Sequence, residues 1–334
     1  MKKKNKQASW NVYGHDWAVD HLRRSIAHGR VRHAYLIAGA ESVGKETLAR
    51  AFAMTLNCTN PEVQPCGECS SCKRIVSGNH PDVLYSARES ETSPLKIEEI
   101  RSVIQRLALK PFEARYRIAI FRDFDAAQPR AQDALLKTLE EPAPHAILIL
   151  LTRSLEAILP TITSRSQVIH LRPAPIQVVE TLLRDQYHVD DTQAALLARV
   201  SGGRIGWALR ALQAPDLLDQ REQALKLLED ALTMNRAKRF DLAGDLAKDK
   251  GALVTLLELW QTYWRDALLL TEHSGLDVTN VDHAAALEAL SDTHSSDVML
   301  AALNATRSTL RMLNTNANTR LALEVMLLDY PPAL

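Results

Sequence analysis

Cys58, Cys66, Cys69 and Cys72 are the only cysteines of the 334-residue chain. Four cysteines scattered over a secreted chain would suggest disulfides. Packed this closely they suggest one metal ion. Four thiolates satisfy a closed, tetrahedral structural zinc, whereas a catalytic zinc keeps one position open and recruits histidine or carboxylate. Reduced, unliganded thiols are the plain alternative, and an enzyme acting through a cluster-bound zinc is a third reading. His80 lies nearby but is not needed as a ligand.

A second group could handle phosphate. Gly39-Ala40-Glu41-Ser42-Val43-Gly44-Lys45-Glu46 has the spacing of a phosphate-binding loop. Such a loop points backbone N–H groups at phosphate oxygens and sends its lysine to the terminal phosphates. Gly39, Gly44, Lys45 and Thr47 are therefore candidate nucleotide contacts. The position after Lys45 should carry a hydroxyl for magnesium, but it is Glu46, and Thr47 comes one residue late. The apolar run Ile118–Phe121 should end in a magnesium-holding acid followed by an acid that polarises water. It ends in Arg122-Asp123 instead, and an arginine holds no cation. Asp123 alone, or Asp125 further along, is the remaining acid. Two magnesium contacts are missing, so ATP is expected to bind weakly or not at all and not to be hydrolysed. Downstream, Ser164-Arg165 precedes the last strand. Arg165 reads as a surface arginine or, in an oligomer, as a group that neutralises a neighbour's γ-phosphate. Thr152 is expected to cap its strand, and Glu140-Glu141 before Pro142 to form a turn.

Apolar periodicity supplies the scaffold. Helical spacing runs over 17–27, from Lys45, over 97–107 and over about 130–141. Short apolar strands are expected at 33–38, 83–85, 118–121, 146–151 and about 167–171, with a surface loop over 88–94. Ala146–Leu151 is uninterrupted, as in a strand buried on both faces. Strands alternating with helices predict a five-stranded parallel sheet in an α/β domain over 1–172, with the cysteine module inserted at 58–72. Pro173 and Pro175 form a hinge. Short helices over 176–187, 191–200 and about 204–212 make a small unit over 173–213, and longer helices fill 214–334. The fold class is α/β followed by all-α.

Lysine plus arginine equals aspartate plus glutamate at 40 each, so a broad grip on nucleic acid is not implied. MKKKNKQ lacks the apolar core of a signal peptide, and no run is long enough to span a bilayer. The expectation is a soluble, cytoplasmic protein.

Together these residues resemble the clamp-loader branch of the AAA+ ATPases. The resemblance rests on His33-Ala34-Tyr35-Leu36, the cysteine insertion, His80-Pro81-Asp82 and Lys96-Ile97 to Ile100-Arg101. It continues through Ala134-Leu135-Leu136-Lys137-Thr138-Leu139-Glu140-Glu141-Pro142 and Thr163-Ser164-Arg165. It implies an AAA+ sheet, a helical lid and a C-terminal collar within a pentameric loader of bacterial DNA polymerase III. The implied partners are gamma/tau and delta subunits, the sliding clamp and primed DNA. The gamma/tau members look like working ATPases, with a hydroxyl after the loop lysine and an Asp-Glu pair ending the strand. Glu46 and Arg122-Asp123 depart from that pattern, and the usual lid arginine aligns with Gly206, with Arg204 or Arg210 as substitutes. The family's finger survives as Ser164-Arg165-Ser166, so the resemblance implies that Arg165 serves an adjacent ATP site in trans.

Overall fold

The computed structural model describes residues 10–90, 93–214, 216–313 and 317–332. The basic start and part of the loop expected at 88–94 lie outside them. The chain forms two compact units, one from the residues up to 179 with 203–207, the other from 180–202 and 208 onward.

The first unit is a parallel sheet. Its strands are β1 (Ala34–Ala38), β2 (Val83–Tyr85), β3 (Arg117–Phe121), β4 (Ala146–Thr152) and β5 (Gln167–His170), in the order β2-β3-β4-β1-β5. β1 and β4 are buried at every residue and pair from Ala34 with Leu148 to Ala38 with Thr152. This is what continuous apolar runs dictate in a sheet covered on both faces. Side chains alternate between faces. Tyr35 and Ile37 join Phe52 in one core, while Leu36 joins Leu148 and Val103 in the other. The first core is covered by α1 (Asp16–Ala27) and α2 (Lys45–Asn57), with Tyr35 edge-on to Phe52 at 4.9 Å. α3 (Ser70–Val76) follows α2, and α4 (Ile97–Leu107) lines the second core. From β1 the chain passes to the β2 side, and from β4 to β5 on the other side. The carboxyl ends of β1 and β4 thus form a switch point, the usual ligand crevice of an open α/β sheet.

The single helix expected over 130–141 is two short ones, α5 (Pro129–Asp133) and α6 (Leu136–Glu140). The backbone tightens between them: Ala134 N–H donates to Ala131 O and Leu135 N–H to Gln132 O. Buried Gln132 donates to the carbonyls of Ala127 and Ala157 and accepts from Leu159 N–H. It ties this turn to the segment before α7 (Pro160–Thr163), an element that periodicity did not announce.

Beyond His170, no strand occurs among the described residues. The helices are α8 (Ile176–Tyr187), α9 (Asp191–Val200), α10 (Ile205–Gln213), α11 (Asp216–Thr233), α12 (Arg236–Leu246), α13 (Lys250–Thr271), α14 (Ala284–Thr293), α15 (Ser296–Leu313) and α16 (Thr319–Asp329). Asp190, Asn235, Asp249 and Asn318 cap α9, α12, α13 and α16 by accepting first-turn N–H groups. In the second unit α13 packs against α11, α14 and α15, and it brings Trp260, Tyr263 and Trp264 into the centre of the core. None of the described helices is long and apolar enough to cross a membrane.

Candidate functional site

The cysteine module is built around the ends of two helices. Cys58 follows the last residue of α2, Cys69 caps α3, and Cys72 lies in its first turn. All four sulfurs lie within 4.8 Å of one another, and Cys66 Sγ and Cys72 Sγ are 4.0 Å apart. Tetrahedral zinc with bonds of about 2.3 Å requires sulfurs about 3.8 Å apart, so the geometry fits. The N–H of Cys69 donates to Cys66 Sγ and that of Cys72 to Cys69 Sγ, at 3.3 and 3.4 Å. Burial raises the Cys69 thiol, but hydrogen bonds from Cys72 and Thr59 outweigh it and bring the pKa down to about 6. Burial pushes the Cys72 and Cys58 thiols up. The four cysteines form a closed set able to hold a metal ion such as zinc, with no histidine or carboxylate in the cluster. His80 is not a ligand. Its Nδ1 accepts from Asp82 N–H, and its Nε2 lies 3.1 Å from Ser71 Oγ.

Asp82 had no assigned role from sequence, yet it anchors this region. Its fully buried carboxylate accepts the N–H groups of Phe112, Glu113 and Ala114 at 2.7 to 3.0 Å and faces Arg117 at 3.5 Å. Burial alone would raise its pKa. The three N–H bonds and Arg117 outweigh burial and hold it below the ordinary carboxylate value.

The phosphate loop sits between β1 and α2, at the switch point. Gly39 N–H donates to Thr152 O, which ties the loop to β4. A Cβ on Gly39 would meet Leu171 O at 2.4 Å, and Gly44 adopts φ +104°, so both glycines are required by backbone geometry. The Lys45 ammonium turns back and donates to Gly39 O and Ala40 O at 2.6 and 2.7 Å. Burial lowers its pKa against the opposing pull of Asp125. Thr47 is exposed. Gly206 lies against this loop: its N–H donates to Ser42 O at 2.8 Å, and a Cβ there would meet the same oxygen at 2.9 Å. Nearby, the Arg204 guanidinium lies 6.0 Å from the Trp207 ring centre.

Glu46 and Arg122, at the two positions where magnesium ligands would be expected, meet. Arg122 Nη2 and Arg50 Nη2 both donate to Glu46 Oε1 at 2.6 Å. Arg122 is also seated by its N–H on Ser86 Oγ, and its guanidinium lies 4.6 Å from the centre of the Tyr85 ring. Both remaining acids have partners of their own. Asp123, with φ +45°, pairs with Arg88 at 3.3 Å, and Asp125 accepts Arg153 N–H at 3.1 Å. Thr152 caps its strand as expected, its buried hydroxyl donating to Ser154 O.

Arg165 lies just beyond α7, apart from that cluster. One guanidinium nitrogen is 2.9 Å from Glu140 Oε1 and another donates to Thr161 O. Ser164 Oγ also donates to Thr161 O. Glu140, read from sequence only as part of a turn, thus orients the arginine at the surface.

Sequence comparison gives a consistent family. The profile described as DNA polymerase III, delta subunit matches residues 14–175, and the one described as DNA polymerase III, delta subunit, C terminal matches 215–330. The chain is 30% identical over 295 residues to DNA polymerase III subunit tau of Bacillus subtilis, covering 80% of this chain and 51% of that one. It is 31% identical over 205 residues to subunit tau of Escherichia coli, covering 60% and 31%. The chain therefore spans about half or less of these relatives. Among solved structures, a gamma subunit-related protein of Thermotoga maritima aligns over 92% of this chain and 97% of that one, with 17% identity and a TM-score of 0.39. The clamp loader delta protein of Bacillus subtilis aligns over 93% and 98%, with 13% identity and a TM-score of 0.35.

Proposed function

The chain belongs to the clamp-loader family of DNA polymerase III, and from that premise we propose that it is the delta-prime subunit of the loader. In this reading it is a stator that does not hydrolyse ATP. It joins gamma/tau and delta subunits in the cytoplasm and helps to load the sliding clamp on primed DNA as part of the polymerase III holoenzyme. Three functional regions serve it: an AAA+ domain over 1–172, a lid over 173–213 and an oligomerising collar over 214–334.

The Glu46–Arg122 ion pair carries the proposal. In a working site a hydroxyl and a carboxylate from these two positions hold magnesium on the β- and γ-phosphates. Here the position after the loop lysine carries no hydroxyl, and the residue that ends β3 is a cation bonded to Glu46. Arg165 would instead be offered to the neighbour, where a guanidinium stabilises charge developing on a transferred phosphoryl group. Zinc, held by Cys58, Cys66, Cys69 and Cys72, would stiffen the segment between α2 and α3 without entering the chemistry. Metal analysis should find one zinc per chain, lost in Cys72→Ser.

The isolated chain should show no ATPase above background. In the reconstituted loader Arg165→Ala should lower the ATPase rate on the order of 10³-fold at the site it faces, the usual scale for an arginine finger. An unchanged rate would remove Arg165 from the mechanism. The second reading, a gamma/tau-type hydrolysing subunit, is favoured by the names of the curated relatives. Magnesium-dependent turnover by the isolated chain, abolished by Lys45→Ala, would establish it.

A further inference from the structure

We propose that Glu46 and Arg122 act as one device, a lock that takes the place of the metal and excludes magnesium-bound nucleotide. The inference rests on the reading of the chain as a non-hydrolysing subunit and concerns how its site is kept shut. Read along the chain, the two residues are separate losses, 76 positions apart. In the fold they close on each other across the gap between the start of α2 and the end of β3. A magnesium ion there would need oxygen ligands at about 2.0–2.1 Å from both elements. Instead the gap is spanned by a guanidinium–carboxylate hydrogen bond of 2.6 Å. The bond leaves no space for a hydrated ion between its members, and the end of β3 presents a cation where an oxygen ligand is needed.

The surroundings favour this arrangement over an accidental contact. Arg50, one helical turn beyond Glu46, donates to the same Oε1. Arg122 is held from three sides, by Glu46, by its N–H bond to Ser86 Oγ and by the face of Tyr85. The two guanidinium groups neutralise the Glu46 carboxylate, as a bound metal would otherwise do. The Lys45 ammonium is engaged by the carbonyls of its own loop, so the loop's shape does not depend on phosphate. Removing either partner alone leaves the other in the gap. Only the joint change should reopen the site.

The test is binding of a fluorescent magnesium–ADP analogue to the full chain, followed by titration with and without EDTA. Wild type, Glu46→Thr and Arg122→Asp should each bind weakly and without dependence on magnesium. The double variant Glu46→Thr/Arg122→Asp should bind at least tenfold more tightly, and EDTA should abolish the gain. The swapped pair Glu46→Arg/Arg122→Glu should stay closed, because it restores the ion pair with its ends exchanged. A folded double variant that binds no better than wild type would overturn the lock. So would a magnesium-dependent gain in Glu46→Thr alone, a measurement that stands even if the double variant does not fold. ATP turnover by the wild-type chain would instead sink the underlying reading, so the two failures are distinguishable.

Discussion

At the phosphate-loop end of the sheet, charged side chains pair with one another close to solvent: Glu46 with Arg50 and Arg122, Glu41 with Arg153, Asp123 with Arg88. In the C-terminal helices Arg221 pairs with the Asp282 and Asn280 side chains, but two other buried charges are bonded mainly to backbone. Arg239 is 7% exposed and gives all five of its donors to carbonyls, those of Ala231, Leu232, Leu327, Tyr330 and Pro331. It thereby satisfies the last turns of α11 and α16, whose carbonyls have no partner within their own helices. Asp266, fully buried on α13, accepts the N–H groups of Thr279 and Asn280 and the Asn280 amide on one oxygen, with Arg265 on the other. The contrast separates two uses of charge. Half-exposed pairs are screened by water and add little to stability. Buried charges bonded to backbone decide whether the helices hold together.

The largest effect should therefore come from Arg239. Arg239→Met keeps the apolar stem but takes the guanidinium from five buried carbonyls, of which Ala231 O keeps Met234 N–H, and should cost about 3–4 kcal/mol in chemical denaturation. A loss below about 1 kcal/mol would show that water replaces the guanidinium, and the comparison would lose its strongest member.

A medium effect, and one of opposite sign in the two units, is expected from pH. Asp82 titrates below its unfolded value of about 3.9, because three N–H groups and Arg117 outweigh burial. Its stabilising contribution is complete above that unfolded value and is lost as pH falls toward the lower folded pKa. Asp266 titrates above its unfolded value, because burial outweighs its hydrogen bonds. It lowers stability at neutral pH, and that cost is relieved as pH falls through the raised folded pKa. Carboxyl resonances followed by NMR should titrate with midpoints on opposite sides of the unfolded value, and Asp82→Asn should flatten the acid limb of the stability curve. Midpoints displaced to the same side would show that the two anchors are not different in kind.

The smallest effect on stability belongs to the lock. Both members are well over a third exposed, Arg122 at 44% and Glu46 at 37%, so Glu46→Gln or Arg122→Gln should shift stability by less than about 1 kcal/mol. Neither substitution alone should reopen the site, and a thermal melt that fell as far as that of Arg239→Met would erase the distinction between the two regions.

Much of this architecture was legible along the chain. The uninterrupted run at 146–151 and the strands at 33–38 and 118–121 announced a sheet covered on both sides, and β1 and β4 are buried throughout. The cysteine spacing announced a metal-holding cluster, and the four sulfurs converge. The helix at 130–141 was misread because its apolar period continues across a break set by Gln132, whose partners Ala127, Ala157 and Leu159 come from loops before and after it. Asp82 and Arg239 passed unnoticed, since a lone aspartate or arginine has nothing in its local pattern to separate a buried anchor from a solvated charge.

What the sequence determined by itself was the order of elements, the faces they bury and the residue types available at each strand end. These follow from polarity and spacing, which are local properties of the chain. It also determined that Glu46 and Arg122 stand where a hydroxyl and an acid would be expected. Only the tertiary structure decided that the two replacements bond to each other, that Glu140 orients Arg165, and that five carbonyls converge on Arg239. Those partners are chosen by the strand order β2-β3-β4-β1-β5 and by helix packing. Strand order and packing bring together residues far apart along the chain, and no periodicity encodes which of them will meet.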